Sequence, residues 1–173
     1  MKVIRCGDPH VTIRNLKESQ KIIDFILDFC LNNGIDRVDF MGDQFHTHAV
    51  IRVEVLNFWH KTFVKFSEAG IKVIALIGNH DQPGSREKEQ EMNALLAFNI
   101  PNLNIINSPK AILNIAYIPY MSNHEYFIKS AHTLYKEFGA TKCLVAHQKQ
   151  HRAIFLIDPT ENLISYLLML SFF

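Results

Sequence analysis

Four short apolar runs, "KVIRC", "RVDFM", "IKVIALI" and "KCLVA", each stop at a polar cluster, and segments with helical spacing of apolar residues lie between them. Strand-like runs alternating with amphipathic helices predict an α/β fold with a largely parallel sheet. A sheet of that kind is covered on both faces, so its strands read as nearly unbroken apolar runs rather than as alternation. The run "IKVIALI" has this character most clearly, and it delivers Asn79, His80 and Asp81 directly at its end.

The spacing predicts strands over 2–6, 37–41 and 71–77, with shorter ones over 103–106, 112–118 and 142–146. Asn15, followed three residues later by Glu18, predicts a capping box at the start of a helix. The stripe of that helix (Leu16, Ile22, Ile23, Ile26, Leu27 and Cys30) closes at Gly34. Further helices are expected over 49–69, with a core face of Ile51, Val55, Phe58, Trp59, Phe63 and Phe66, then over 85–98 and 123–139.

At 173 residues, with 48% hydrophobic and 20% charged residues, the chain has material for one domain with a substantial core. A formal net charge of +1 neither proposes nor excludes nucleic acid. Cys6, Cys30 and Cys143 are odd in number and form no C-x-x-C pair, which suits buried free thiols in a reducing compartment. The N-terminal apolar run is too short for a secretory signal, so a cytoplasmic location is expected. The greasy tail "LISYLLMLSFF" is shorter than the roughly twenty residues of a membrane span, so no membrane role is expected.

Asp8 and His10 follow the first strand, Asp43 the second, Asn79 and His80 the third, and His147 the strand "KCLVA". In open α/β sheets the carboxyl ends of the strands form the ligand crevice, which brings these distant residues together. Carboxylates, an amide and imidazoles without a thiolate make a ligand set for hard or borderline divalent ions. Two ions fit this set: Asp8 and His10 reach one, Asn79 and His147 the other, and Asp43 bridges. A pair of ions roughly 3.5–4 Å apart can clamp the attacking and leaving oxygens of a phosphate ester. A dinucleotide-binding or P-loop domain shares the α/β order, but no G-x-G-x-x-G follows the first strand and no G-K-[ST] occurs.

In this order, "GDPH", "GDQFH", "GNHD" and "VAH" resemble the calcineurin-like metallophosphoesterase superfamily, over about residues 1–148. "GDQFH" resembles the G-D-L-F-H of DNA-repair nuclease subunits of the SbcD type and of phage recombination exonucleases, with Gln44 in place of an aliphatic residue. The resemblance implies an αββα sandwich and metal ligands at Asp8, His10, Asp43, Asn79 and His147. The cofactors would be two divalent ions, manganese first, with iron or zinc as alternatives. It further implies that His80 contacts the scissile phosphate or protonates the leaving oxygen, that His46 helps place a DNA end, and that Asp81 holds the ring of His80. His48, His60, His124, His132 and His151 are read as ordinary surface or core histidines.

The family's late G-H-x-H does not occur here, and residues 149–173 form a divergent apolar tail. The expectation is therefore a metallophosphoesterase domain over 1–148 whose second sheet is largely missing, in a chain cut short or read out of frame near Gln148. A sheet face left bare in this way would expose apolar surface, which the tail partly covers. The first functional reading is a dinuclear metal-dependent DNA exo- or endonuclease of the recombination-repair type. A phosphatase or nucleotide phosphodiesterase of the same superfamily is the second. An inactive fragment acting through partner binding is the third. The nuclease resemblance also implies an SMC-like ATPase partner and a homodimer.

Overall fold

The computed structural model describes residues 2–48, 50–84, 92–138, 143–147 and 165–168. In chain order the elements are β1 (Val3–Cys6), α1 (Leu16–Asn33), β2 (Arg37–Phe40), α2 (Val53–Glu68), β3 (Lys72–Leu76), β4 (Leu103–Ile106), β5 (Lys110–Ile112), β6 (Ile115–Ile118), α3 (His124–Phe138), β7 (Cys143–Ala146) and β8 (Ser165–Leu168). One parallel sheet has the order β4-β3-β2-β1-β8, and a second has the order β5-β6-β7. In the second sheet β5 and β6 are antiparallel, while β6 and β7 are parallel.

Alternation along the strands explains the layering. On one face of the first sheet Ile4, Cys6, Val38, Phe40, Val73 and Ala75 pack against α1 and α2, where Trp59, Phe63 and Phe66 are fully buried. The residues between them point the other way, so Met41, Ile74, Leu76 and Ile106 meet Ile115, Tyr117, Cys143 and Val145 of the second sheet. The far face of that second sheet, through Ala116, Ile118 and Ala146, packs on Leu134 of α3. The result is an αββα sandwich. The expected bare sheet face is corrected here: β5, β6 and β7 suffice to bury Ile74 and Leu76.

Between the sheets the apolar layer gives way to charge at β1 and β2. Arg37 and Asp39, two apart on one face, pair through contacts of 2.7 and 3.0 Å, and the Tyr117 hydroxyl donates to Asp39 at 2.7 Å. Arg5 lies 3.6 Å from the same carboxylate. Burial of charge on this scale is tolerated only with such partners.

Several boundaries differ from expectation for local reasons. Asn15 precedes α1 but caps nothing: its Oδ1 accepts from the N–H and hydroxyl of Thr12, and its Nδ2 donates to the His10 carbonyl. The expected capping box is instead a clasp on the loop that carries His10. Gly34, at φ 60, does end the helix as expected. Helix α2 starts at Val53 rather than at 49, after an extended Arg52, in a β-branched stretch that resists helix; Ala49 lies outside the described residues. In the helix expected over 85–98, residues 85–91 lie outside the described residues. The remainder holds one 3-10 turn, Ala94–Ala97, capped by Asn93. The strand expected over 112–118 is a hairpin, because Leu113 and Asn114 both take positive φ, as a two-residue turn requires.

The three cysteines are free and buried. Residues 165–168 of the tail lengthen the first sheet beside β1, so this part of the tail adds an edge strand and does not cover a sheet face. The rest of the tail lies outside the described residues. Among the described residues no helix is long and apolar enough to cross a membrane.

Candidate metal centre

The carboxyl ends of β1, β2, β3 and β7 meet at one edge of the sandwich, and every expected ligand stands there. Asp8, His10, Asp43 and His80 sit in loops that directly follow strands, and Asp8, His10 and Asp43 take the left-handed conformation, with φ 44, 42 and 56. Such conformations cost on the order of 1–3 kcal/mol each outside glycine and persist where surrounding contacts enforce them. Two contacts do so here: the His10 N–H donates to the Asp43 carbonyl at 2.9 Å, and the Val11 N–H to the Gln44 carbonyl at 3.1 Å.

The ligand atoms fall into two clusters, each within 4.8 Å, that share Asp43. One holds His10, Asp43 and His80; the other holds Asp8, Asp43 and His147. Asp43 presents Oδ2 to His10 Nε2 at 3.4 Å and Oδ1 to His147 Nε2 at 3.4 Å, a different oxygen to each side. Asn79 joins the second cluster, with its Oδ1 3.1 Å from His147 Nε2. This grouping differs from the expected one: Asp8 stands with His147, at 3.7 Å, and His10 with His80, while Asp43 belongs to both groups.

Asp43 and His147 are buried, His10 and His80 partly so, and Asp8 is 61% exposed, which leaves the clusters open on one side. Burial alone would lower the His147 imidazole, but hydrogen bonding to Asp43, the Met41 carbonyl at 2.9 Å and the Asp8 charge hold it above the usual range. Burial raises Asp43, yet His147, the His80 N–H and His10 bring it below the usual carboxylate range. Burial keeps His80 low, assisted by His10 and His48. Its Nδ1 lies 2.7 Å from the His46 carbonyl, which makes Nδ1 the donor and leaves Nε2 as a lone pair.

The expected role of Asp81 is corrected by its contacts. It does not hold His80: Oδ2 accepts from the N–H groups of Asp43 and Gly78 at 2.9 and 2.8 Å, and Oδ1 from that of Phe45 at 3.0 Å. Its carboxylate ties the loop after β2 to the loop after β3. His48, read from the sequence as an ordinary histidine, belongs to the site. Its ring stacks on His80 with centroids 4.2 Å apart, and its Nδ1 donates to the Asn79 carbonyl at 2.8 Å. The H-x-H spacing of "HTH" was the available signal. The His46 ring is exposed, 5.5 Å from that of His10 and 5.8 Å from that of His80.

Two glycines are required by close approach. A Cβ at Gly78 would collide with the backbone nitrogen and Oδ1 of Asp43, and one at Gly42, where φ is 104, with the His147 ring. Gly78→Ala is expected to cost about 1–3 kcal/mol of stability, the usual range for overpacking, because backbone must move. Urea denaturation of the variant reads this, and a midpoint unchanged from wild type would refute the close packing.

The residues fit divalent metal. The donor set is two carboxylates, three imidazoles and an amide oxygen, and His10 Nδ1 is buried with no hydrogen-bond partner among the described residues. The calcineurin-like phosphoesterase family model matches residues 1–154. A protein of Invertebrate iridescent virus 3, named "Putative phosphoesterase 078R", is 26% identical over 162 residues, which cover 86% of this chain and 44% of that protein. The chain thus spans less than half the length of that curated relative. A sandwich with strand-end carboxylates and histidines in two clusters joined by one aspartate agrees with a family match over most of the sequence, and the chain belongs to the calcineurin-like phosphoesterase family.

Proposed function

We propose that this protein hydrolyses phosphodiester bonds in DNA with two divalent ions, manganese first, as an exo- or endonuclease of the recombination-repair type. The observation that carries the reading is Asp43, one buried carboxylate that offers a separate oxygen to each of two ligand clusters. Asp8, Asp43, Asn79 and His147 would hold one ion, and His10 with Asp43 the other. Bound there, the ions would supply Lewis-acid charge at the phosphoryl oxygens.

The chain's own groups do the rest. His80 borders the open side of the clusters with its ring fixed through Nδ1 by the His46 carbonyl; its Nε2 lone pair takes a proton from solvent and passes it to the leaving oxygen. The stacked His48 ring keeps that imidazole from turning. DNA as substrate is supported by the "GDQFH" sequence and by the exposed His46 ring beside the clusters. The SMC-like ATPase partner and the homodimer belong to the same proposal.

Linear duplex DNA incubated with the protein and manganese should release nucleotides, and a chelator should stop the release. Hydrolysis of a small aryl phosphodiester with DNA left intact would shift the assignment to a nucleotide phosphodiesterase or phosphatase. Hydrolysis of neither would overturn it.

A further inference from the structure

A cleft of about 310 Å³ opens beside the metal centre, between the loop after β1 and the segment leading into α2. Val11, Phe45, Ile51 and Val55 give it apolar walls, and His46 stands between it and the ligand clusters. We propose that this cleft takes the base of the nucleotide next to the cleaved phosphodiester, an inference that rests on the hydrolytic reading above.

The same short bridge builds both places. Pairing of Val11 with Phe45 forms part of the cleft, and one residue earlier the His10 N–H on the Asp43 carbonyl fixes a ligand pair. His46 lines the cleft and lies 5.5 Å, ring to ring, from the ligand His10, so a phosphate at the clusters has the cleft beside it. Ligand pockets start at about 300 Å³, which suits a single nucleoside rather than a larger ligand. An apolar slot accepts the π-face that every base presents, and the exposed His46 ring offers a stacking partner at the mouth.

Charge at the rim fits the same occupant. Arg14 is exposed and makes no ion pair among the described residues, so its guanidinium is available to a backbone phosphate. Arg52, also at the rim, is occupied by Glu54 at 3.0 Å. An apolar peptide would leave the cation at Arg14 without a counterpart.

Calorimetry on the full chain with metal chelated tests this, with thymidine 5′-monophosphate against deoxyribose 5-phosphate as probes. The nucleotide should bind at least about tenfold more tightly, as stacking of one base implies. Thr47→Trp, an exposed lining position, should reduce that ratio to about one by filling the cleft, and Arg14→Ala should weaken both ligands. If Thr47→Trp does not fold, Ile13→Glu on the exposed rim takes its place and should also reduce the ratio. Equal affinity for the two probes in wild type overturns the proposal, as does a preference that persists in a folded cleft variant. Conversion of a dimer to a monomer by Thr47→Trp overturns it too, by giving the cleft to a second copy. A protein that shows the preference yet cleaves no phosphodiester with manganese refutes the hydrolytic reading and leaves the cleft assignment standing.

Discussion

Asp43→Ala is expected to remove both metal positions at once and to lower phosphoester hydrolysis by at least about a hundredfold. Loss of a group that merely orients a metal ligand commonly costs 10–100-fold in affinity or activity, and Asp43 is placed to contact two ions directly. The comparison that isolates sharing uses single-cluster variants. His10→Ala leaves Asp8, Asp43, Asn79 and His147 in place for one ion, whereas Asp8→Ala leaves His10 and Asp43 for the other. Calorimetric titration with manganese should therefore show one ion bound in each of those variants, two in wild type and none in Asp43→Ala. Binding of as many ions by Asp43→Ala as by wild type would refute the shared-carboxylate arrangement.

Proton release offers a second readout on the same samples. The metal-free site holds His147 protonated beyond its usual range, through Asp43, the Met41 carbonyl and Asp8. A cation must displace that proton, so affinity should rise with pH. The sign for stability is the reverse. A raised imidazole contributes stability to the metal-free fold that is complete below the ordinary histidine range and is lost as pH rises through the elevated value.

The residues at the strand ends were legible because a parallel sheet leaves few alternatives. Asp8, Asp43, Asn79 and His147 each follow an apolar run, and the carboxyl ends of such runs must meet. Which oxygen or ring then faces which was not legible. D-x-H suggested one shared ion for Asp8 and His10, but the two fall in different clusters, and side-chain spacing does not report the left-handed backbone that both residues take. Asp81 next to His80 suggested a hydrogen bond between neighbours, whereas the strongest demand on that carboxylate comes from three buried N–H groups, two of them distant in sequence. His48 escaped notice because its place depends on how the loop after β2 folds back over β3. The second sheet shows the same limit: the absence of a G-H-x-H motif suggested a bare sheet face, while "AILNIAYI" already held the hairpin that covers Leu76.

The contacts of Asp81 lead to the other large effect. Asp81→Ala should destabilise the protein by about 3–5 kcal/mol, the range for breaking a buried charged partner. The residue is 2% exposed, and its removal strands the N–H groups of Asp43, Phe45 and Gly78, each costing about 1–3 kcal/mol when left without an acceptor. Against a typical total of about 5–15 kcal/mol this is a large fraction, readable as a lower denaturation midpoint. Asp81→Asn keeps the size and one oxygen but turns an amide toward backbone donors, so it should fall between wild type and alanine. The two candidate roles separate cleanly in this pair. A residue that only oriented His80 would change the pH profile of hydrolysis and leave the unfolding midpoint where it was. A residue that ties the loop of Asp43 to that of Gly78 lowers the midpoint and loosens the shared carboxylate, while the His80 ring keeps its bond to the His46 carbonyl. Manganese affinity should accordingly weaken by about 10–100-fold in Asp81→Asn, as for other groups that support ligands from behind. An unfolding midpoint equal to wild type in Asp81→Ala would show that the three donors find other acceptors and that the tie is not what fixes Asp43.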